Sequence, residues 1–425
     1  MPELSLRTEI AQLEIAAPII APDGSGETLV RLWGRPIGFV ELPPSADPDK
    51  IAEIVWSSLS PVIGRALREG RVPVVGVLTA AGIVARPPTW KVDRDRASRA
   101  GTPLAVVVCT RNRPLLLARA LFSLAALTYH DVDIIVVDND PDDTTTRDVY
   151  AAAAAMSPHP MRYVQEPRPG LSWARNAGVA ATDRDLVAFT DDDVVVDPNW
   201  ASEIVRAFEA GPQAGCVTGQ ILPFEFRSDA SRWREAYAGA TKYGFERRVF
   251  DRTTGGGSKL YPFNTGECGS GMNMAFRRDV ISEIGGFDHA LGAGTPSRGG
   301  EDLAAFFSVL QAGYSLVYDP SVLVSHAHRH TYEDLELQMS GWGSALTAYL
   351  TQVVVREPRL ILPVLRRTGR GVATAVMPSS KKNGRKPQDY PKSLTWAELK
   401  AMPSGPWRYL SGRMRARKLL RDVPR

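Results

Sequence analysis

Three consecutive aspartates, Asp191, Asp192 and Asp193, follow an apolar run at residues 186–190. Carboxylate oxygens are ligands that Mg²⁺ and Mn²⁺ prefer, and such ions often bind substrate phosphates as well. Because adjacent acids at the end of a buried strand are costly unless a cation neutralises them, the run predicts a metal site. A solvated acidic turn, or the acidic first turn of a helix, is the alternative interpretation.

A second acidic pair, Glu301 and Asp302, follows Gly299 and Gly300 and precedes an apolar helical segment. Glycines allow a ligand to approach the backbone closely, and a carboxylate placed here can take a proton from a hydroxyl group. We therefore expect Asp302 to act as a general base that faces the metal site. The alternative is an ordinary helix N-terminus, where acidic side chains are favoured.

His326 follows an apolar run at residues 322–325, and His328 and His330 come after it at alternate positions. Alternation along a strand would place the three imidazoles on one face. A lone histidine is usually structural, but a neutral imidazole beside the aspartates is also a suitable metal ligand. We expect His326 to bind the metal, and His328 and His330 to contact solvent or substrate.

An alternation of strands and helices must position these residues. Continuous apolar runs predict buried parallel strands at residues 104–109, 132–137 and 186–190. Helical periodicity at 112–127 and 147–156 then predicts an α/β fold, in which helices flank a mostly parallel sheet. Ligands of such sheets bind at the carboxyl ends of the strands, and Thr110, Asp138 and the three aspartates are expected there.

The chain divides into four parts by composition. Residues 1–85 predict a small α+β module that includes a hairpin at 29–42. Residues 86–102 are polar and contain prolines, as is typical of a linker. The α/β domain with the acidic motifs is expected at 103–332, and a helical, basic C-terminal extension at 333–425.

Charge is distributed unevenly along the chain. In total 51 Lys and Arg stand against 47 Asp and Glu, whereas residues 356–425 hold 18 basic and 4 acidic residues. Apolar runs edged by arginine, with Trp396 and Trp407 among basic residues, are typical of helices that lie in a membrane interface. We expect residues 356–425 to contact an anionic membrane surface; a solvated tail is the alternative.

Several classes of protein are disfavoured. Cys109, Cys216 and Cys268 form no CxxC pair, so neither a thiolate zinc site nor a disulfide framework is expected. The sequence shows no P-loop, no GxSxG run, no GxGxxG after a strand and no nucleic-acid-binding motif. With neither a secretory signal nor an apolar stretch that could span a bilayer, we expect a cytoplasmic protein, peripheral on the inner face of the membrane.

Taken together, these residues resemble the family 2 glycosyltransferases, which have the Rossmann-like GT-A fold. The resemblance covers about residues 104–329, a little over half of the chain. Its fragments follow the family's order: VVVCTRNR at 106–113, IVVDN at 135–139, GLSWARNAG at 170–178, FTDDDV at 189–194, GMNMAFRR at 271–278, GGFD at 285–288 and GGED at 299–302. Each fragment alone is weak, but their order and spacing argue against chance agreement.

The resemblance implies which residues bind a nucleotide-sugar donor. They would be Thr110, Arg113, Asp138, Arg175, Asn176, Asp191 and Asp192. Thr110, Asp138 and Arg175 would contact the base, and Asp192 the ribose. A carboxylate at Asp138 suits the N–H of uracil or thymine, because it accepts hydrogen bonds strongly.

The resemblance also implies the catalytic groups. Asp191, Asp193 and His326 would hold Mn²⁺ or Mg²⁺. Asp302 would be the catalytic base, and Glu301 would orient it or the acceptor.

The expected function is therefore metal-dependent, inverting transfer of a sugar from a nucleotide-diphosphate donor to an acceptor hydroxyl, for which a lipid-linked acceptor is one candidate. The absence of a QxxRW run argues against a processive polysaccharide synthase. The alternatives are a non-catalytic nucleotide-sugar-binding module, a nucleotidyltransferase and a polyanion binder that acts through the basic tail. No specific nucleic-acid partner is expected.

Overall fold

The computed structural model describes residues 10–22, 26–224, 228–239, 243–256, 260–327, 331–376, 384 and 386–421. His328 and His330, for which we expect contacts with solvent or substrate, lie outside the described residues.

The N-terminal module is a three-stranded sheet covered by one helix. Its strands are β1 (Ala11–Glu14), β2 (Gly26–Leu32) and β3 (Arg35–Leu42), and β2 and β3 form the antiparallel hairpin that the sequence predicts. Helix α1 (Pro48–Glu69) begins after Asp47, whose carboxylate accepts a 2.8 Å hydrogen bond from the Lys50 amide. The buried face of α1 recurs every three to four residues and packs against the sheet.

A helix occupies most of the segment for which the composition predicts a linker. Helix α2 (Thr89–Ala100) buries Trp90, Arg94 and Ala97 on one face. A tryptophan, an arginine and an alanine make these contacts, so residues 86–102 lack the apolar stripe by which an amphipathic helix is recognised. The segment is therefore a packed helix with short flanks rather than an extended linker.

Two ion pairs, one buried and one partly buried, connect the N-terminal part to the α/β domain. The Arg94 guanidinium lies 3.4 Å from the Glu203 carboxylate, and Arg31 lies 2.8 Å from Asp197. Leu29 of β2 joins an apolar cluster with residues of the α/β domain. The N-terminal module and the α/β domain thus share an interface of both charged and apolar contacts.

Nine strands and seven helices form the α/β domain within the described residues. The strands are β4 (Leu104–Thr110), β5 (Val132–Asn139), β6 (Met161–Glu166), β7 (Leu186–Asp191), β8 (Val194–Val196), β9 (Ala214–Pro223), β10 (Arg248–Phe250), β11 (Asn273–Arg277) and β12 (Ser315–His326). The helices are α3 (Pro114–Ala125), α4 (Thr145–Met156), α5 (Leu171–Ala180), α6 (Trp200–Glu209), α7 (Asp229–Ala238), α8 (Arg278–Glu283) and α9 (Glu301–Gln311).

The strands form a single mixed sheet in the order β10-β12-β9-β11-β7-β4-β5-β6, and β8 pairs with β12. Strands β7, β4, β5 and β6 are parallel neighbours, and β12 is parallel to β9. Strand β11 is antiparallel to both β7 and β9. This architecture confirms the predicted α/β fold with a mostly parallel sheet and flanking helices.

Both faces of the sheet are covered, which explains the continuous apolar runs. All seven residues of β4 are buried. Val106 and Val108 belong to one apolar core, and Ala105 and Val107 belong to the core on the other face. A strand with two buried faces has no polar alternation, as expected for a central parallel strand.

Two segments are more ordered than the sequence predicts. Strand β12 unites residues 315–318 and 322–325, for which the sequence predicts two separate strands. Its pairing with β9 shifts register between Asp319 and Leu323. The segment 223–271, in which no continuous helical or strand periodicity is recognisable, contains α7 and β10. Polar and charged residues inside these elements interrupt the apolar periodicity on which sequence-based assignment depends.

The C-terminal extension consists of four helices in the described residues: α10 (Tyr332–Arg356), α11 (Ile361–Val376), α12 (Lys392–Ala401) and α13 (Gly405–Arg421). Helices α12 and α13 pack against α10 at two glycines. A Cβ at Gly343 would meet the Glu398 carbonyl, and one at Gly405 would meet the Thr347 hydroxyl. No helix of the described residues combines the length and apolar composition that crossing a bilayer requires.

Replacement of Arg206 by Met should destabilise the protein. The guanidinium lies 2.6 Å from the Asp319 carboxylate and 2.5 Å from that of Glu203, and both acids are buried. Burial alone would raise the pKa of Asp319, but Arg206 and Arg35 hold it below its usual value. Because removal takes the nearest cation away from two buried carboxylates, we expect a loss of about 3–5 kcal/mol in the free energy of unfolding, measured by chemical denaturation.

Arg232→Met is the matched control, because the pairs of Arg232 with Asp229 and Asp389 are exposed. Exposed pairs contribute about 0–1 kcal/mol, so this variant should unfold at nearly the denaturant concentration of the wild type. Equal stability of the two variants would contradict the role assigned to Arg206.

Candidate active site

Three strand ends bring Thr110, Asp138 and Asp191 to one edge of the sheet. Parallel pairing places Thr110 of β4 beside Asp138 of β5, and Cys109 of β4 beside Asp191 of β7. The Thr110 hydroxyl donates a 2.8 Å hydrogen bond to Asp192, the residue that follows β7. These polar side chains therefore gather at the carboxyl ends of the strands, where open α/β sheets bind ligands.

Asp138 is fully buried, and only one of its oxygens has a protein partner. The Tyr163 hydroxyl of β6 donates a 2.6 Å hydrogen bond to Oδ2, whereas Oδ1 has no hydrogen-bond partner among the described residues. Burial raises the pKa of Asp138, and the hydrogen bond from Tyr163 opposes that rise. A buried carboxylate oxygen without a partner is costly, so Oδ1 is suited to accept an N–H from a ligand.

Asp193 contacts His326 from a distant part of the chain. The antiparallel pairing of β8 with β12 sets Val194 opposite His326. The His326 Nε2 atom lies 3.5 Å from Asp193 Oδ1, and Arg113 lies 3.5 Å from Oδ2. Burial alone would raise the pKa of Asp193, but His326 and Arg113 bring it down to about 2, so this carboxylate stays ionised near neutral pH.

Arg175 of α5 joins the two acidic motifs. Its buried guanidinium donates to Glu301 Oε1 at 2.9 Å, to Asp191 Oδ1 at 3.3 Å and to the Gly271 carbonyl at 3.0 Å. The resemblance implies that Arg175 contacts the donor base. Among the described residues it contacts two carboxylates and a backbone carbonyl, so Arg175 links three segments of the protein.

Gly271 connects Asp302 to the same network. The Gly271 amide donates to Asp302 Oδ2 at 2.8 Å, and the Leu303 amide donates to Oδ1 at 2.8 Å. Since the Gly271 carbonyl accepts from Arg175, Asp302 and Asp191 are joined through one residue and one guanidinium. A Cβ at Gly271 would lie 3.0 Å from the Arg175 nitrogens and 3.1 Å from the Asp302 Cβ, so the close approach depends on glycine.

Unlike Asp193, three carboxyl groups at this edge, those of Asp191, Asp192 and Glu301, are not fully compensated by the cations around them. Burial raises the pKa of Asp192 to about 6 although Arg113 opposes it, and it raises the pKa of Glu301 to about 7 against the effect of Arg175. Burial likewise raises the pKa of Asp191. Carboxyl groups with raised pKa values beside arginines indicate a shortage of positive charge, which a divalent cation would supply.

The predicted metal ligands lie close together but are not assembled as a metal centre. Among the residues that the structure describes, no three Asp, Glu, His or Cys side chains are arranged to hold an ion. Asp191 is directed to Arg175, and Asp193 is directed to His326 and Arg113. Carboxylate oxygens and an imidazole nitrogen suit Mn²⁺ or Mg²⁺ chemically, but these side chains would have to reorient to bind one.

Asn176, a predicted donor ligand, holds a loop of the protein. Its side-chain amide donates to the Phe287 carbonyl at 2.8 Å and accepts from the Phe287 amide at 2.9 Å. The Asn176 nitrogen also lies 2.9 Å from His289 Nε2. Because both ends of this amide are engaged, Asn176 fixes residues 286–289.

Two contributors are absent from the sequence-based set, Tyr163 and Gly271. Tyr163 lies in β6 opposite Val136, two residues before Asp138 on β5, so the pairing register brings the two side chains to one face. Gly271 opens the fragment GMNMAFRR, and a glycine directly before a strand is a signal of close backbone approach. Both signals become interpretable only when the strand pairing is known.

Residues 105–285 match the sequence model of the family described as Glycosyl transferase family 2. This segment is a family 2 glycosyltransferase domain. The predicted family is thereby confirmed for the part of the chain that carries Thr110, Asp138, Arg175 and the aspartate run. Asp302 and His326 lie beyond the matched residues.

Curated relatives of the chain include two enzymes with named activities. Pre-mycofactocin glycosyltransferase of Mycobacterium tuberculosis is 26% identical over 294 residues, which are 69% of this chain and 54% of the relative. Glucosyl-dolichyl phosphate glucuronosyltransferase of Haloferax volcanii is 25% identical over 240 residues, 52% of this chain and 68% of the relative. The chain thus spans about half the length of the mycobacterial relative.

Solved structures similar to the chain include a mannosyltransferase from Pyrobaculum calidifontis in complex with GDP-Man and Mn²⁺. It is 16% identical, the match covers 77% of this chain and 78% of that chain, and the TM-score is 0.43.

Gly271→Ala should disturb the link between Asp302 and Arg175. The new Cβ would be 3.0–3.1 Å from groups that are themselves held by hydrogen bonds, and overpacking of this kind costs about 1–3 kcal/mol. We expect a lower melting temperature and a larger loss of sugar transfer, because Asp302 must shift. Thermal unfolding and transfer of labelled sugar measure the two effects.

Gly341→Ala provides the matched control. Gly341 lies within α10, and a Cβ there would meet nothing within 4 Å. Alanine favours helix by about 1 kcal/mol over glycine, so stability should stay equal or rise and transfer should not change. If Gly271→Ala behaves like this control, Gly271 has no part in positioning Asp302.

Proposed function

We propose that the protein is a metal-dependent, inverting glycosyltransferase that moves a sugar from a nucleotide-diphosphate donor to an acceptor hydroxyl. The observation that carries the proposal is the short connection from Asp302 through Gly271 and Arg175 to Asp191. It unites a carboxylate suited to take a proton with an acidic strand end suited to a metal-bound diphosphate. The two motifs are more than a hundred residues apart in sequence, and the family 2 match covers the donor side.

The donor nucleotide is proposed to bind at the ends of β4 and β5. Oδ1 of Asp138, which has no hydrogen-bond partner in the described part of the chain, would accept the N–H of a uracil or thymine base. Thr110 would lie beside the base, and Asp192, which is held by Thr110 and Arg113, would contact the ribose. Arg113, whose guanidinium is exposed, would contact the donor phosphates.

The metal is proposed to bind at Asp191, Asp193 and His326. Bound there, a divalent cation would stabilise the negative charge that develops on the diphosphate as it leaves. The excess of carboxyl groups with raised pKa values supports this assignment, because such a site gains most from a cation.

Asp302 is proposed as the catalytic base. Backbone amides hold both of its oxygens and so fix its orientation. As the acceptor oxygen bonds to the anomeric carbon, the bond from that carbon to the phosphate oxygen breaks, and the diphosphate keeps the electron pair. The acceptor proton passes to Asp302. Attack from the face opposite the leaving group inverts the anomeric centre. Glu301 Oε2, which has no hydrogen-bond partner among the described residues, would orient the acceptor hydroxyl.

The acceptor is proposed to be lipid-linked, and the protein to be peripheral on the inner face of a membrane, in contact through residues 356–425. The dolichyl phosphate in the name of the Haloferax relative supports a lipid-linked class of acceptor. The excess of basic over acidic residues in 356–425 supports an anionic surface.

Nucleotide diphosphates with Mn²⁺ or Mg²⁺ should raise the melting temperature of the wild type, because a ligand that binds only the folded state stabilises it by mass action. At a concentration about 100 times the dissociation constant the gain is about 2.7 kcal/mol. UDP and TDP should give larger shifts than ADP and GDP, and Asp193→Asn should lose most of the shift. Thermal-shift titration measures these differences.

Asp185→Asn is the control for this experiment. Asp185 is exposed and directly precedes β7, at the end opposite to the aspartate run. This variant should keep the full nucleotide-dependent shift. Absence of a shift with every nucleotide diphosphate, or an undiminished shift in Asp193→Asn, would count against the proposed donor site.

Asp302→Asn should lower kcat by about 10²–10⁴-fold, because asparagine keeps an oxygen for the Gly271 amide but cannot take a proton. Its nucleotide-dependent thermal shift should equal that of the wild type. Transfer of labelled sugar from UDP- and TDP-sugars to a lipid extract measures the rate.

Asp279→Asn is closely matched to this substitution. Asp279 lies in the first turn of α8 and accepts a 2.8 Å hydrogen bond from the Val280 amide, as Asp302 does from Leu303 in α9. The control should transfer sugar at the wild-type rate. Equal activity of Asp302→Asn and the control would exclude Asp302 as the base.

A further inference from the structure

Helix α13 is strongly basic and has one buried face. Its 17 residues, GPWRYLSGRMRARKLLR, contain six Lys or Arg and no Asp or Glu. The buried positions are Gly405, Tyr409, Gly412 and Ala416, at helical spacing. Because these are mostly small residues, the helix lies close to the elements that it covers.

The inner face of α13 is fastened to residues 288–298, the loop that leads to Glu301 and Asp302. The Tyr409 hydroxyl donates to Asp288 at 3.1 Å, and Arg408 and Arg415 donate to the carbonyls of Pro296 and Gly294, both at 3.0 Å. The same loop is bonded to α5 on its other side, where the Leu171 amide donates to the Ala293 carbonyl. The loop is therefore held between α5, which carries Arg175, and α13.

The opposite side of α13 has no covering element among the described residues. Trp407, Leu410 and Met414 are 70%, 43% and 58% exposed, and they recur at three- and four-residue spacing. Arg417 and Arg421 continue the same line toward the end of the helix and are also exposed. We refer to these five residues as the outer stripe.

We propose that the outer stripe is a docking surface for an anionic lipid bilayer. The stripe combines an exposed tryptophan and two flexible apolar side chains with arginines that follow them. In the interfacial region of a bilayer, aromatic rings and alkyl chains enter the headgroup boundary, and guanidinium groups contact lipid phosphates. Each basic residue near an anionic surface adds to the attraction.

The charge of α13 also indicates which kind of partner would bind to the outer stripe. A second copy of the chain would bring the same uncompensated basic helix, so self-association through this surface is electrostatically unfavourable. A nucleic acid would match the charge but would leave Trp407, Leu410 and Met414 without an apolar environment. An anionic bilayer offers an apolar environment to Trp407, Leu410 and Met414, and phosphate groups to Arg417 and Arg421.

Docking would bring the membrane surface close to the catalytic base, because the helix that meets the lipid also holds the loop before Asp302. A lipid-linked acceptor could then reach Asp302 while its lipid stays in the bilayer. This consequence rests on the proposed sugar transfer, whereas binding of lipid by the outer stripe deepens the membrane contact proposed for residues 356–425 and does not depend on the transfer reaction.

Co-sedimentation of the full-length protein with vesicles tests the surface. Wild type should bind vesicles of phosphatidylglycerol and phosphatidylcholine at equal amounts, and should bind pure phosphatidylcholine vesicles at least about tenfold more weakly. The triple variant Trp407→Ser, Leu410→Ser, Met414→Ser should lose binding to the mixed vesicles by about tenfold or more. These side chains are exposed, so its melting temperature and nucleotide-dependent shift should match those of the wild type.

A control variant removes three exposed apolar side chains elsewhere: Ile20→Ser, Val77→Ser, Val84→Ser in the N-terminal module. It should bind the mixed vesicles as the wild type does. Equal binding by the wild type and the triple variant, equal binding to both vesicle types, or formation of a dimer by the wild type that the triple variant abolishes would overturn the proposal. Loss of the nucleotide-dependent shift with retained vesicle binding would instead contradict the proposed donor site alone.

Discussion

A buried guanidinium that serves two carboxylates is the constraint on which the site depends. Arg175 connects the end of β7, the Gly271 turn before β11 and the start of α9, three segments that are far apart along the chain. A buried ion pair contributes little net stability, because desolvation offsets the attraction, but it strongly disfavours arrangements that leave one partner alone. Arg175 therefore specifies where the two acidic motifs lie relative to each other more than it stabilises the fold.

The site is also supported from outside the central sheet. Arg31 of the N-terminal module pairs with Asp197, which closely follows the aspartate run and β8. On the other side, α13 and α5 hold residues 288–298 before Asp302. The segments that carry the acidic motifs are thus held by packing that begins in the flanking parts of the chain.

Much of the fold could be predicted, because its signals are local. Strand β4 is recognisable from an unbroken apolar run, and α1 from an apolar stripe behind Asp47. The clustering of Thr110, Asp138 and the aspartates follows from the rule for parallel strand ends. Helix α2 was not predicted, because Arg94 occupies a buried position at which an amphipathic helix usually has an apolar residue. The role of Arg175 was equally inaccessible, since its partners come from segments whose proximity only the tertiary structure establishes.

The ion pairs of Arg94 with Glu203 and of Arg31 with Asp197 cross the boundary that composition suggests near residue 103. A fragment that begins at that boundary would keep Asp197 and Glu203 but would lack Arg31 and Arg94. Both carboxylates would then lie on a surface that the N-terminal part covers in the longer chain. The cooperative folding unit is consequently larger than the segment that carries the sequence motifs. In chimeric enzymes that combine parts of this chain with parts of relatives, residues 10–102 and the segment bearing Asp197 and Glu203 would have to come from the same parent.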